Sequence, residues 1–192
     1  MINKKDLAKI RKQLGEYENK REDIIKLSRD IVRLSKMAIS SVHRKDLAMA
    51  GKNLAEVEKI QKKLKKSIAY DPKLSIIGAY SVAMQEYVEA KTFLHFVKTK
   101  KLLPFSSLEV DPEDYLMGLA DLTGELSRKA VLNTISKHYH SVHLVRDFVE
   151  GIHDFFLTLS LRNGELRRKY DAIKWNLKRI EDVAYDIEMK KN

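Results

Sequence analysis

The apolar residues of this chain recur at spacings of three and four, which is the repeat of one face of an α-helix. The clearest series comprises Ile24, Leu27, Ile31, Leu34, Ala38 and Val42. It predicts a first long helix over residues 3–43, with Asn3 as its N-cap.

Few helix-breaking residues interrupt the rest of the chain, so the remaining helices are also predicted to be long. The same periodicity predicts helices over residues 46–69, 73–101, 111–137, 141–161 and 163–189. Pro72 and Pro112 mark two boundaries, because proline disfavours helix in the preceding residue and suits a helix's first turn. No segment predicts a β-strand. We therefore expect an all-α bundle of about six long helices in a single domain, residues 1–192.

The fourth predicted helix contains two glycines, Gly118 and Gly124. Glycine lowers helix propensity, so its presence inside a helix needs a separate reason. We predict that a neighbouring helix approaches closely at these two positions.

Two predicted helices carry paired carboxylates inside otherwise apolar segments. Glu86 and Glu89 lie three residues apart in one segment, and Asp121 and Glu125 lie four residues apart in the other. Residues with these spacings share one face of a helix. If the two pairs face each other, their oxygens form the hard-ligand site that suits Mg²⁺ or Mn²⁺ and phosphoryl-transfer chemistry.

A purely structural role is the alternative interpretation of these acids. Carboxylates in apolar helices often pair with a Lys or Arg from a neighbouring helix. Lys91 and Arg128 are the only cations within about a turn of either pair. Four acids would therefore compete for two local bases.

The composition excludes several kinds of site. The chain contains no cysteine, which excludes disulfides, thiolate zinc sites and cysteine catalysis. No apolar signal-peptide segment follows Met1, and the acids in the apolar stretch around Glu86 argue against a membrane span. We therefore expect a cytoplasmic protein that does not enter a membrane.

The formal net charge of +10 is unevenly distributed along the chain. Residues 1–45 carry 13 Lys or Arg and 6 Asp or Glu, whereas residues 111–140 carry 3 and 5. A basic body around an acidic island suits a metal-dependent enzyme that acts on a polyanion, because the bases attract phosphates and the acids hold the cation. An ordinary solvated helix face is the alternative for any single lysine cluster.

Several segments together resemble the translin/TRAX family. The two hallmark segments of that family are similar to residues 84–103, MQEYVEAKTFLHFVKTKKLL, and residues 114–128, DYLMGLADLTGELSR. The first-helix signature is similar to residues 22–36, EDIIKLSRDIVRLSK, and residues 159–187 are closer to the translin branch. The matching segments span nearly the whole chain in the family's order, so the resemblance is more specific than one short motif.

The resemblance implies an all-helical subunit of a hollow homo-oligomeric shell, an octamer, that binds RNA or single-stranded DNA. In the TRAX branch the matching acids form a metal-dependent endoribonuclease site. On this chain they are Glu86, Glu89 and Asp121, with Glu125 as a supporting acid. The resemblance therefore predicts Mg²⁺ or Mn²⁺ as the cofactor and cleavage of single-stranded or unpaired RNA. A shell that binds RNA or single-stranded DNA without cutting it is the alternative.

Basic residues of the first helix are candidates for holding a nucleic-acid backbone. We select Arg29, Arg33, Lys36 and Arg44, because Arg and Lys supply most protein contacts to phosphates. For each of them, a solvated surface or pairing with an acid is the alternative interpretation.

Two other kinds of metal site agree less well with the sequence. A ferritin-like di-iron centre requires two Glu-x-x-His motifs, and the chain has one, formed by Glu150 and His153. His138, His140 and His143 lie at a predicted helix junction, where an exposed turn explains them better than a zinc site.

Overall fold

The computed structural model describes residues 3–190, and within them it contains six long α-helices. They are α1 (Lys4–His43), α2 (Leu47–Tyr70), α3 (Gly78–Thr99), α4 (Pro112–Ile135), α5 (Tyr139–Leu157) and α6 (Glu165–Met189). Short 3-10 turns lie at Pro72–Ile76 and Phe105–Ser107, and these residues form no β-strand. The predicted all-α bundle of six long helices is therefore confirmed.

Side-chain caps explain where three of the helices begin. Asn3, Asp46 and Asp111 each accept a hydrogen bond from a backbone N–H in the first turn of α1, α2 and α4. These bonds satisfy amides that have no partner within the helix. Pro112 follows its cap as the first residue of α4, where its missing N–H costs nothing.

Two helix boundaries differ by four or five residues from those that the sequence predicted. The third helix begins at Gly78 rather than at residue 73, because Pro72 starts a separate 3-10 turn whose Leu74 is fully buried. The fifth helix ends at Leu157 rather than at residue 161, since the Thr158 backbone already closes a tight turn there. Both changes arise from local turns that helical periodicity does not report.

Helices α1, α3 and α4 run in the same direction along the bundle. Lys36 contacts Glu86 and His43 contacts Phe93, and each pair is 50 positions apart, so α1 and α3 are parallel. The segment between α3 and α4 runs back along the bundle, so that α4 points in the same direction as α3. The contacts of Ser81 with Asp114 and of Gln85 with Gly118 show this parallel arrangement. The hydroxyl of Tyr115 in α4 donates to the backbone of that crossover segment.

Gly118 is the point of closest approach between α3 and α4. A Cβ atom at this position would lie 2.6 Å from the backbone oxygen of Gln85 and 2.7 Å from Cβ of Val88. Only glycine fits there without displacing backbone, so the predicted close approach is confirmed at Gly118. It is wrong for Gly124, where the nearest atom to such a Cβ is 3.8 Å away, on Asn176.

The core consists of apolar side chains from all six helices, and its largest fully buried members are Phe93, Phe96 and Phe156. No helix among the described residues has the length and apolar character that a membrane crossing requires.

Candidate functional site

The four paired carboxylates line a single cleft between α1, α3, α4 and α6. They are Glu86 and Glu89 on α3 and Asp121 and Glu125 on α4. The cleft has a volume of about 610 Å³, and its wall also contains three bases, Lys36, Arg128 and Lys169. Parallel packing of α3 and α4 places the two carboxylate pairs side by side, with the bases of α1 and α6 opposite them.

Glu89 is the most buried of the four acids, with 8% of its surface exposed. Burial, followed by the nearby carboxylates of Asp121, Glu86 and Glu125, raises the pKa of Glu89 to about 8. Lys169 opposes this rise but does not cancel it. An acid with this pKa holds its proton near neutral pH until a cation compensates the surrounding negative charge.

Lys169 of α6 connects the acids to a second, buried polar network. Its Nζ donates to Oδ2 of Asp121 at 2.5 Å and to Oε1 of Gln85 at 3.1 Å. Nε2 of Gln85 in turn donates to Asp114 at 3.1 Å, and Ser81 donates to the same carboxylate at 2.5 Å. Burial raises the pKa of Asp114 despite these bonds. The Gln85 amide therefore fixes the position of Lys169, and through it that of Asp121.

Glu125 is held from α1 by His43. Nε2 of the His43 ring contacts the Glu125 carboxylate, and Arg128 lies 3.8 Å from the same carboxylate oxygen. The hydrogen bond from His43 lowers the pKa of Glu125. The His43 side chain is 6% exposed and lies against Phe93, with 4.9 Å between the ring centroids. Packing thus orients the imidazole, which orients Glu125.

Glu86 pairs with Lys36 of α1, with 3.3 Å between Nζ and Oε1. Lys91, one of the two local bases in the sequence, bonds to Glu58 of α2 at 2.5 Å instead. The cations that reach the acids therefore come mainly from α1 and α6. Sequence reasoning missed Lys169 and His43, because 48 and 82 residues separate them from their partners and no local motif announces the contacts.

The other predicted phosphate-binding residues follow the exposed surface of α1. Arg29, Arg33 and Lys36 share one helix face, so the two arginines extend the basic edge of the cleft away from the acids. Arg33 pairs with Asp30 at 3.2 Å, and Arg44 donates to Oγ of Ser40 at 2.6 Å. Their role in binding stays a prediction.

The four carboxylates are the kind of ligand that a divalent cation prefers, but three of them contact Lys or His side chains of the protein. Asp121, Glu125 and Glu86 contact Lys169, His43 and Lys36 respectively, and the described residues contain no ready group of three metal ligands. Carboxylate oxygens crowded around a buried acid are nevertheless the ligands that Mg²⁺ and Mn²⁺ prefer. A metal would bind here by replacing ammonium groups, so the residues fit the predicted ion once those pairs open.

The remaining histidines lie away from this cleft. His138 and His140 are exposed, and His143 pairs with Glu188 at 3.1 Å. His153 stacks on Tyr170, with 5.8 Å between their ring centroids. The Glu-x-x-His motif therefore adds no ligand to the paired carboxylates.

The fold and the cleft together define an all-α protein with an acidic site, lined also by bases, between parallel helices. The family profile described as the Translin family matches residues 19–191 of the chain. The chain therefore belongs to the Translin family.

Relatives in sequence include proteins from both branches of that family. The chain is 31% identical over 182 residues to an uncharacterized protein of Methanocaldococcus jannaschii, covering 91% of this chain and 80% of the relative. It is 24% identical over 219 residues to translin-associated protein X of Rattus norvegicus, covering 93% and 76%. Translin of Gallus gallus is 30% identical over 109 residues, covering 54% and 48%.

Two solved structures share the whole fold. Apo-NeC3PO superposes with a TM-score of 0.87 at 25% identity, covering 96% of this chain and 97% of that one. AfC3PO in its complex with duplex RNA superposes with a TM-score of 0.88 at 25% identity and the same coverage. The similarity therefore extends over nearly the full length of each molecule.

Proposed function

We propose that the chain is a single-domain subunit of a homo-oligomeric, metal-dependent endoribonuclease that cleaves single-stranded or unpaired RNA. The observation that carries this proposal is the convergence of four carboxylates and three bases on one cleft. The AfC3PO relative was solved with duplex RNA, which supports RNA as the ligand class. The proposed shell is an octamer, as the family resemblance implies.

Glu86, Glu89 and Asp121 would hold Mg²⁺ or Mn²⁺, and Glu125 would complete or orient the ligand set. The bound ion supplies charge neutralisation at the scissile phosphate and lowers the pKa of a water molecule. His43 keeps Glu125 ionised and in place, as its effect on the Glu125 pKa indicates. Gln85 keeps Lys169 beside the acids.

The bases at the cleft wall give the site its preference for a polyanion. Lys36 and Lys169 lie at the carboxylates in the free protein. Once released from the acids, both ammonium groups would be available to bind phosphate oxygens on either side of the reacting bond. Arg29 and Arg33 would hold the strand further along α1 through its phosphates.

A shell that binds RNA or single-stranded DNA without cutting it is the second candidate function. The ion pairs of Asp121 with Lys169 and of Glu86 with Lys36 favour it, because carboxylates satisfied by lysines need no metal. The two candidates predict the same binding and differ only in metal-dependent cleavage.

Single-turnover cleavage of labelled single-stranded RNA, with Mg²⁺, with Mn²⁺ or with a chelator, separates the two candidates. We expect cleavage only with metal and a loss of at least roughly 100-fold in Asp121→Asn, since even losing an outer partner of a metal site costs about 10–100-fold. RNA binding measured on the same samples should persist in the variant.

Binding without cleavage under any metal condition would establish the non-catalytic shell. Cleavage by Asp121→Asn at the parental rate would show that the acids are structural.

A further inference from the structure

A second pocket, with a volume of about 310 Å³, lies at the end of the bundle where α1, α3 and α4 finish and α5 begins. Its floor is apolar and consists of Val42, Leu47, Phe96, Val97, Leu144 and Val145. Its basic lining residues are Lys45, Lys100, Lys129 and His138. Among the described residues that line it, none carries a carboxylate.

Two of these lysines occupy backbone positions that lysine rarely takes. Lys45 and Lys100 follow the ends of α1 and α3 with φ values of 64° and 61°, where glycine or asparagine is the usual residue. The Lys100 ammonium donates to the carbonyl of Val97 at 2.9 Å and lies 5.6 Å from the centroid of the Phe96 ring. Its charge is thereby held at the edge of the apolar floor.

Within residues 3–190, no ion pair compensates the positive charge of the pocket. Burial, followed by the charges of Lys100 and Lys45, lowers the pKa of Lys129. In the described part of the chain, no salt bridge within 4.0 Å involves any of the three lysines. Asn133, which also lines the pocket, has its Nδ2 donor buried without an acceptor. An anion in the pocket would compensate the three ammonium groups together.

The pocket and the carboxylate cleft lie on the same three helices. Phe96 follows Glu89 by seven residues on α3, which corresponds to about 10 Å along a helix axis at 1.5 Å per residue. On α4, Lys129 follows Glu125 by four residues, or about 6 Å. A nucleotide in the pocket would therefore lie close to an RNA strand that passes through the carboxylate cleft.

We propose that this pocket binds a nucleoside monophosphate, with the phosphate at the lysines and the base on the apolar floor. Three uncompensated cations match a phosphate dianion better than a carboxylate, and the apolar part of the lining suits the planar surface of a base. The ligand is a free mononucleotide or the phosphorylated end of an RNA strand. Only the second source rests on the proposed RNA-binding function.

Calorimetric titration of the 192-residue chain with AMP, adenosine, inorganic phosphate and octanoate tests the ligand class. We expect AMP to bind at least about tenfold more tightly than each of the other three, because only AMP fills both parts of the pocket. Equal binding of inorganic phosphate, or tighter binding of octanoate, would overturn the proposal, as would no binding of AMP.

Variants locate that binding. Lys129→Gln and Lys100→Gln should each weaken AMP binding at least about tenfold, the usual scale for a lost charged hydrogen bond. Lys98→Gln is the matched control, since this exposed lysine of α3 lies outside the pocket. Lys129→Gln should also raise the unfolding temperature of the free protein, because it removes a half-buried positive charge that lies near two others. Unchanged AMP affinity in both pocket variants would overturn the assignment.

Two RNA oligonucleotides that differ only in a 5′-phosphate or a 5′-hydroxyl identify the source of the nucleotide. The comparison is made in Asp121→Asn, so that cleavage does not consume the strand. Tighter binding of the phosphorylated strand, lost in Lys129→Gln, identifies an RNA end. Equal affinities for the two oligonucleotides, together with measurable binding of AMP, identify the free nucleotide as the ligand. The AMP titration stays valid even if the chain cleaves no RNA.

Discussion

Lys169 of α6 and Asp121 of α4 are joined by a 2.5 Å hydrogen bond at the centre of the carboxylate cleft. The ammonium group supplies positive charge where a divalent cation would also have to supply it. A metal bound at the proposed site would therefore compete with Lys169 for the same carboxylate. Such competition would couple metal affinity to the stability of the protein and to the release of the Lys169 ammonium group toward phosphate.

Removing Lys169 should expose that competition. In Lys169→Met the acids lose their compensating charge, so we expect a metal-free protein less stable by roughly 1–2 kcal/mol, a value reduced for partial exposure of the pair. Mg²⁺ should then raise its unfolding temperature more than it raises that of the parent. Thermal unfolding with chelator and with Mg²⁺ measures both effects.

Lys178→Met serves as the control for that experiment, since Lys178 is an exposed residue of the same helix outside the cleft. It should respond to Mg²⁺ as the parent does. A Lys169→Met protein with the parental Mg²⁺ response would show that Lys169 does not occupy the metal position.

The raised pKa of Glu89 predicts a pH dependence of stability. Its folded-state value of about 8 lies above the ordinary value of 4.5, so the folded protein binds more protons than the unfolded one between these limits. The contribution is fully present below about pH 4.5 and is lost as the pH rises toward 8. Urea unfolding in the presence of chelator should therefore show Glu89→Gln gaining stability relative to the parent over this range. Parallel curves for the two proteins would contradict the assignment.

The helices and the two carboxylate pairs could be predicted because both depend on local spacing. Residues three or four apart share a helix face whatever the tertiary fold, so Glu86 with Glu89 and Asp121 with Glu125 could be paired from sequence. The two segments that carry these acids, together with residues 22–36 and 159–187, also predicted the family, which the profile match confirms.

The partners of these acids could not be predicted, because they depend on how distant helices align. His43 reaches Glu125 only because α1 and α4 lie at the same level, and Lys169 reaches Asp121 only through α6. The 3-10 turn at Pro72–Ile76 was missed for a different reason, since Leu74 continues the apolar pattern while the backbone changes its hydrogen bonding.

Gly118 gives a direct test of the packing that aligns the two carboxylate helices. Gly118→Ala places a methyl group 2.6 Å from the backbone oxygen of Gln85, and we expect a loss of about 1–3 kcal/mol, typical of overpacking. Gly51→Ala is the control, because nothing lies within 4 Å of its Cβ and alanine favours helix by roughly 0.5–1 kcal/mol. Chemical denaturation compares the two. Equal effects of both substitutions would mean that α3 and α4 lie further apart.

The basic face of α1 predicts how RNA binding depends on salt. If Arg29 and Arg33 contact phosphates, the double variant Arg29→Ala with Arg33→Ala releases two fewer counterions per site. The slope of log affinity against log salt for single-stranded RNA should then become shallower by about 1.4, at roughly 0.7 per phosphate. Lys174→Ala with Lys178→Ala is the matched control, because it removes the same charge from α6 residues that do not line the cleft. Affinity measured between low and moderate salt gives both slopes. A shallower slope in the control but not in the α1 variant would place the RNA on the exposed face of α6.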